Sequence, residues 1–208
     1  MVTGVEVERD GQRIKVAAPI VVSDVGPVAT LKLVGESNVP GGHERLVKER
    51  DRPTSMISVN FASRERLVDV PGVLSFAKSR RLAYIANFTD MCPEMPLEGW
   101  NLYVGTSVPA NPTGEFDEKA EIELLFDDLR DNIVRFDERA GIINIAITRE
   151  DWPPQRVVAD FDMPHETPIT ALWNVGDACK EYANGGTTAC AETAKLVVEK
   201  ISSLYQPA

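Results

Sequence analysis

The sequence predicts an α/β fold with a mixed sheet and flanking helices, and three observations lead to this class. Four runs in the middle of the chain are rich in β-branched and aromatic residues, as strands are. A helical period of apolar residues lies between the last two runs. Near the C-terminus, a short apolar run passes through Gly-Asp and a glycine loop into a second helical period.

The first 28 residues predict a hairpin followed by a strand. Val5 and Val7 alternate with polar residues, and Asp10-Gly11 is a typical hairpin turn. Ile20 to Val22 form an apolar run. We expect this segment, residues 1–28, to fold against the C-terminal segment, residues 166–208.

The middle of the chain, residues 29–165, predicts one mixed α/β domain. The helix between the last two strands covers Asp117 to Phe136 and carries its apolar residues on one face. Gly35 to Pro53 combines glycines, prolines and charges with little apolar content, which predicts a mobile loop. The strand-like runs are Ile57–Phe61, Ala83–Phe88, Leu102–Val108 and Ile142–Thr148.

The segment from Leu172 to Glu192 has the form of a cofactor-binding turn. A buried strand ends at Gly176 and Asp177, and Gly185-Gly186 precedes a helix that runs to about Leu204. Free N–H groups at a helix start attract electron-rich or anionic atoms, and a carboxylate accepts hydrogen bonds from ligand hydroxyls. The alternative is a strand-to-helix connection that uses its glycines for geometry only.

This segment, LWNVGDACKEYANGGTTACAE, resembles the C-terminal FAD motif of the phytoene desaturase family, the carotenoid and retinoid branch of the amine-oxidase-like flavoproteins. The resemblance implies that Gly176 and Asp177 serve the ribityl chain and the phosphates. It also implies that Gly185, Gly186 and Thr187 present backbone amides to the flavin ring.

The resemblance extends to both ends of the chain and, more loosely, to its middle. The N-terminal stretch is similar to the hairpin, strand and helix of the family, although the loop Ser23–Pro27 matches the family pattern only in part. Cys92-Pro93-Glu94, Arg149 and Trp152-Pro153 are weaker matches. The resemblance implies that residues 29–165 form a substrate-binding domain and that the loop after Gly35 lies near the substrate entrance.

The family's dinucleotide-binding unit has no counterpart in this sequence. That unit begins with a strand, a GxGxxG turn and a helix, and no GxGxxG occurs in the 208 residues. The chain therefore predicts an incomplete FAD site, completed by an N-terminal Rossmann-half polypeptide. Three possibilities stay open: a fragment, a split subunit, and a non-catalytic module derived from the family. An apolar face left uncovered by that half also predicts a homodimer.

The activity implied by the resemblance is FAD-dependent oxidoreduction of C–C bonds in a long apolar isoprenoid or other lipid. Desaturation, saturation and isomerisation are equally compatible with the sequence. No catalytic residue is identified, and no triad, phosphate loop or carboxylate pair of a hydrolase is present. We expect the isolated chain to be inactive.

Composition and charge argue against several classes of partner. The formal net charge of −10 disfavours nucleic acid and anionic membranes, which attract basic surfaces. There is no signal peptide and no run of 18 apolar residues, so we expect a cytoplasmic protein that touches membranes only transiently, to reach a lipophilic substrate. The three cysteines have no CxxC spacing, and we expect no metal site.

Three further residues invite a chemical interpretation. His43 and His165 are predicted to be surface histidines, because neither has a ligand-spaced Cys or His nearby. Cys179 lies within the flavin motif. It is either a thiol near the flavin ring or, as we favour, a small buried residue.

Overall fold

The computed structural model describes residues 1–149, 156–180 and 186–205 and divides into two compact units. Unit 1 comprises Met1–Pro53 and Gln155–Ala208, and unit 2 comprises Thr54–Pro154. Helices and both parallel and antiparallel strand pairs are present, so the predicted α/β class is confirmed. Residues 29–53, which the sequence analysis grouped with the middle domain, lie in unit 1.

The secondary structure contains nine strands and six α-helices among the described residues. In chain order these are β1 (Gly4–Arg9), β2 (Gln12–Ala17), β3 (Val21–Ser23), α1 (Pro27–Val34), α2 (His43–Arg50), β4 (Met56–Ser63), β5 (Gly72–Ser75), β6 (Leu82–Asn87), α3 (Phe88–Met91), β7 (Asn101–Ser107), α4 (Glu118–Asn132), α5 (Phe136–Arg139), β8 (Gly141–Thr148), β9 (Leu172–Asn174) and α6 (Gly186–Leu204).

Unit 1 is built on two small sheets. The first is the predicted hairpin of β1 and β2, whose turn residues Asp10 and Gly11 both have positive φ. The second pairs β3 with β9 in parallel, with Val21 opposite Leu172. The C-terminal helix α6 packs here, because Val197 shares a core with Trp173 of β9. The two ends of the chain therefore fold together, as predicted.

The segment from Gly35 to Pro53 is not the predicted loop, since it contains α2. Val47 is only 2% exposed and packs in one core with Leu31 of α1 and Val157. This short helix has a strongly charged surface, so its few apolar residues did not stand out as a helical period. Burial of Val47 therefore stabilises a helix that the local apolar pattern does not predict.

Unit 2 is a five-stranded antiparallel sheet with strand order β5-β6-β7-β4-β8. All four predicted strands of the middle region are present, and β5 is an additional, four-residue strand. The core lies on one face, where Phe61 and Tyr103 of the sheet pack with Leu125 and Leu129 of α4.

The long central helix ends earlier than its apolar pattern predicts. Asp117 caps α4 by accepting a hydrogen bond from the Ala120 N–H at 3.1 Å. The helix stops at Asn132, and Arg135 adopts a left-handed conformation with φ of 54°. Phe136 nevertheless reaches the same core from the start of α5. The apolar spacing predicted burial correctly here but not helix continuity.

One face of α6 is buried. Its buried residues are Ala189, Thr193 and Val197, whereas Val198 and Leu204 are 60% and 65% exposed.

Among the described residues, no helix is long and apolar enough to cross a membrane.

Candidate cofactor site

The candidate site lies at one edge of the parallel pair in unit 1. Because β3 and β9 are parallel, their carboxyl ends meet at the same edge, where open α/β sheets usually bind ligands. The chain leaves β3 through Ser23 and Asp24 and leaves β9 through Val175, Gly176 and Asp177.

Gly176 forms a turn that no other residue fits well. Its φ is 108°, and a Cβ on it would lie 2.9 Å from Asp24 Oδ1. Its N–H donates to Thr193 Oγ1 of α6 at 2.9 Å. The Gly176 amide is therefore engaged within the protein, and this glycine shapes the turn while α6 holds it.

Thr193 is a residue that the sequence analysis missed. It is 2% exposed, and its hydroxyl also donates to the Cys190 carbonyl oxygen at 3.0 Å. Ala189, Thr193 and Val197 recur every four residues, which is the one signal that marks this buried face. A threonine in that series serves as the polar link between helix and turn.

Asp177 is 8% exposed, and both its carboxylate and its backbone carbonyl oxygen accept hydrogen bonds. Its Oδ2 accepts a hydrogen bond from the Arg156 backbone N–H at 2.9 Å. The Asp177 backbone carbonyl oxygen accepts a hydrogen bond from Lys180 Nζ at 2.8 Å, and Lys180 forms a partly buried ion pair with Asp162 at 2.7 Å. No described residue donates a hydrogen bond to Asp177 Oδ1, so this oxygen can accept one from a ligand.

The other predicted contact residues lie at the start of α6. Gly186 is half-buried with φ of 61°, and Thr187 is exposed in the first turn. Gly185 lies outside the described residues. The helical rise from Gly186 to Thr193 is about 10 Å. The Gly176 turn therefore contacts α6 about two turns after the helix start.

The loop after β3 contributes a carboxylate and a small hydroxyl pair. Asp24 is exposed at the edge beside Gly176. Ser23 Oγ and Thr30 Oγ1 of α1 are 2.6 Å apart, and the Thr30 hydroxyl donates to the Gly26 carbonyl oxygen at 2.9 Å. These bonds fix the path of the chain into α1.

The histidines and cysteines offer no second chemistry at this edge. His165 is 3% exposed, so its predicted surface position was wrong, and the half-buried His43 begins α2. No described cluster of three or more His, Cys, Asp or Glu residues could hold a metal ion. Cys179 is 1% exposed, and burial raises the pKa of its thiol to about 12. It is the small buried residue that we favoured.

Alkylation should therefore leave Cys179 unmodified in the folded protein. At pH 8 only roughly one thiol in 10⁴ with a pKa near 12 is ionised, and the thiolate is the nucleophile. We expect iodoacetamide followed by peptide mass spectrometry to label the half-buried Cys92 faster than Cys179. Labelling in urea should reach both. Equal rates in the folded protein would contradict the buried assignment.

Two archaeal proteins resemble this chain in sequence. An uncharacterized protein of Methanocaldococcus jannaschii is 24% identical over 187 residues, which cover 89% of this chain and 43% of that protein. An oxidoreductase from Methanosarcina mazei, known from its crystal structure, is 24% identical with a TM-score of 0.81 over 94% of this chain and 48% of that one. No protein-family model matches the chain.

More distant solved structures share the fold. A reduced UDP-galactopyranose mutase has a TM-score of 0.62 at 9% identity, covering 95% of this chain and 44% of its own. Cyclohexylamine oxidase from Brevibacterium oxydans has a TM-score of 0.51 at 12% identity, with coverages of 96% and 46%. The chain thus spans about half the length of the proteins it matches. These likenesses show a shared fold and do not single out phytoene desaturases.

Proposed function

We propose that this chain is the substrate domain and C-terminal FAD half of an oxidoreductase of the phytoene-dehydrogenase type. Unit 1 would hold part of the flavin cofactor, and unit 2 would bind a long apolar isoprenoid or lipid. The observation that carries the proposal is the turn at Gly176 and Asp177, placed by two parallel strands at a shared carboxyl edge.

The residues of this edge fit part of a dinucleotide. Asp177 Oδ1 and the exposed Asp24 carboxylate can accept hydrogen bonds from ribityl or ribose hydroxyls. A side chain at Gly176 would fill the space beside Asp24, so the glycine keeps that space open. These contacts cover a polyol and its immediate neighbours, not a whole dinucleotide.

The parallel sheet also supports the need for a second half. Val21 N–H and the Ser23 carbonyl oxygen bond to the β9 side, at 2.9 Å each, so the Val22 peptide groups face the opposite edge. No described strand pairs with that edge. Parallel sheets are normally larger and covered on both faces, and a free edge accepts a further strand. We assign this edge to the Rossmann half.

The hairpin adds a second surface for the same partner. Val5 pairs with Val16, and Val7 pairs with Ile14, so the four side chains share one face. Each is between 42% and 47% exposed. Contiguous exposed apolar residues on a sheet face mark an interaction surface. A second copy of this chain is the alternative occupant.

Substrate binding is assigned to the face of the unit 2 sheet that points away from α4. Ala62, Val104 and Ala146 lie on that face by their pairing register. Asn60 and Asn144 lie there too, and the two amides hydrogen-bond each other. Because the two amides hydrogen-bond each other across the strands, an apolar ligand that covers this face does not deprive them of every hydrogen-bond partner.

The proposal assigns separate roles to the cofactor, to Asp177, to the start of α6 and to the sheet of unit 2. Bound FAD would supply hydride acceptance and donation at N5. Asp177 would orient the cofactor through its hydroxyl groups. The α6 N-terminus at Gly186 and Thr187 would place backbone amides where negative charge develops on the flavin ring. The sheet face would hold the substrate and exclude water. Desaturation, saturation and isomerisation all use this arrangement.

Co-expression tests the proposal directly. The purified chain should be colourless, and co-expression with a Rossmann-half polypeptide that carries GxGxxG should restore visible flavin absorbance. In that complex, Asp177→Ala should weaken FAD binding about 10- to 100-fold, because a hydrogen bond to a charged group contributes roughly 1.5–3 kcal/mol. Equilibrium dialysis with FAD measures the effect.

Two controls separate the cofactor contact from general damage. Asp177→Asn keeps an oxygen acceptor and should retain more FAD affinity than Asp177→Ala. Asp69→Ala removes a carboxylate whose side chain is 95% exposed in unit 2 and should change nothing. Unchanged FAD affinity in Asp177→Ala would show that the role assigned to this residue is wrong. Binding of stoichiometric FAD by the isolated chain would contradict the prediction that its FAD site is incomplete.

A further inference from the structure

Arg156 lies beside the Asp177 carboxylate and carries a positive charge. Its backbone N–H holds Asp177 Oδ2 at 2.9 Å, which places residue 156 directly beside the turn. The arginine is half-buried. Its guanidinium has no hydrogen bond or ion pair to any residue in the described ranges 1–149, 156–180 and 186–205. The sequence analysis did not select it.

The side chain of Arg156 lies across Gly26, at the end of the other strand's exit loop. A Cβ on Gly26 would be 2.8 Å from Arg156 Cδ and 3.1 Å from Nε. Gly26 itself is buried and has φ of 86°, so a side chain there would be both strained and in collision with the arginine. The glycine thus makes room for the arginine at this edge.

Three carboxylates lie in the neighbourhood of Arg156. Asp177 touches the arginine backbone, and Asp24 lies against Gly176 in the same turn. Arg156 also acts on Asp51, although burial is the main influence on that carboxyl and raises its pKa. A free inorganic anion would meet the repulsion of these carboxylates, and a neutral polyol would not use the cation. A ligand that carries hydroxyls beside a phosphate satisfies both.

We propose that Arg156 binds the phosphate of a polyol phosphate whose hydroxyls bond Asp24 and Asp177, with Gly26 providing the space for its guanidinium. This inference rests on the proposed function in identifying that ligand as the ribityl pyrophosphate portion of FAD. A planar guanidinium suits this task, because two of its N–H groups bind phosphate oxygens side by side. The phosphate contact thereby moves from the Gly176 turn to a residue elsewhere in the chain.

Comparison of flavins with and without phosphate tests the proposal in the co-expressed complex. Arg156→Met should weaken FAD binding about 10- to 100-fold, as expected for lost charge-assisted hydrogen bonds, and leave riboflavin affinity within about twofold. Arg156→Lys should retain part of the FAD affinity. Arg45→Met is the matched control, because it removes the same charge from an exposed arginine paired with Glu49 on α2. It should change neither affinity.

The isolated chain offers an independent readout. Titration with flavin mononucleotide and with riboflavin, followed by the Arg156 Nε–H signal in NMR spectra, should show a shift with the phosphorylated ligand alone. Gly26→Ala should abolish that shift by displacing the arginine. Far-UV circular dichroism checks that each variant folds.

The outcomes distinguish this proposal from the proposed function. Equal losses of FAD and riboflavin in Arg156→Met would show that Arg156 only positions Asp177, which overturns the phosphate contact. FAD binding unaffected by Arg156→Met would overturn it too, while leaving the flavin function in place. If the complex binds no FAD but the isolated chain still shows the Arg156-dependent shift with flavin mononucleotide, the phosphate contact stands and the proposed FAD-dependent function fails.

Discussion

Replacing Phe61 with alanine is expected to lower the free energy of unfolding by about 3–5 kcal/mol. Phe61 is fully buried in the unit 2 core, stacked on Tyr103 at 5.4 Å between ring centroids and edge-on to Phe136 at 5.3 Å. Its loss leaves a cavity between the sheet and α4 and removes two aromatic contacts. Urea unfolding followed by circular dichroism measures the change.

Two comparison variants test whether the loss of stability comes from the buried volume of Phe61. Phe61→Leu keeps most of the volume and should cost distinctly less than Phe61→Ala. Leu97→Ala removes a side chain that is 77% exposed and should stay within about 0.5 kcal/mol of the parent. A Phe61→Ala protein with parental stability would mean that this core does not support unit 2.

The second large effect is expected at Asp128, a buried carboxylate on α4. It accepts hydrogen bonds from the backbone N–H groups of Arg80, Arg81 and Leu82, at 2.6 to 3.1 Å, and pairs with the Arg80 side chain at 3.1 Å. Asp128→Ala leaves these donors without their acceptor. We expect a loss of about 3–5 kcal/mol at pH 7, measured by urea unfolding.

The pH dependence of this loss identifies its cause. Burial raises the pKa of Asp128, but the three N–H bonds and Arg80 outweigh it, so the pKa lies below its ordinary value. The stabilisation is therefore present above the unfolded pKa of about 3.9 and is lost as the pH falls through the lower folded pKa. The difference between parent and Asp128→Ala should narrow in that acidic range. A difference independent of pH would point to packing alone.

A charge-neutral variant further separates the contribution of the Asp128 charge from that of its packing. Asp128→Asn keeps the size and one acceptor oxygen, and it should be intermediate in stability at pH 7. Exposed Asp127 lies on the same helix, and Asp127→Asn should have little effect on unfolding.

Local patterns were sufficient for most of the strands. Ile57–Phe61 and Leu102–Val108 were recognised because β-branched and aromatic side chains alternate or cluster there, and the structure extends or trims them by a residue or two. The four-residue β5 was missed, since so short a run has no distinctive period. The charged α2 was missed because a single buried side chain, Val47, accounts for its place in the core.

The candidate site divides in the same way. Gly176 and Asp177 were predicted because a strand, a glycine and an acidic residue stand in one short segment. Thr193 and Arg156 were not predicted, and Asp24 was considered only within a loop that matches the family in part, because each reaches the turn from another segment. Their contacts depend on the pairing of β3 with β9 and on the position of α6. No local pattern encodes a hydrogen bond between such distant residues.

The sequence by itself therefore determined the α/β class, the two chain ends as one cooperating region, and the Gly-Asp turn with its resemblance to a flavin motif. These features arise from short-range periodicity and from backbone conformations open only to glycine. The tertiary structure alone decided which groups surround that turn: the hydroxyl that anchors Gly176, the backbone amide that holds Asp177, and the arginine that lies over Gly26. Long-range packing and hydrogen bonding select these neighbours, and they become visible only when distant segments are brought into contact.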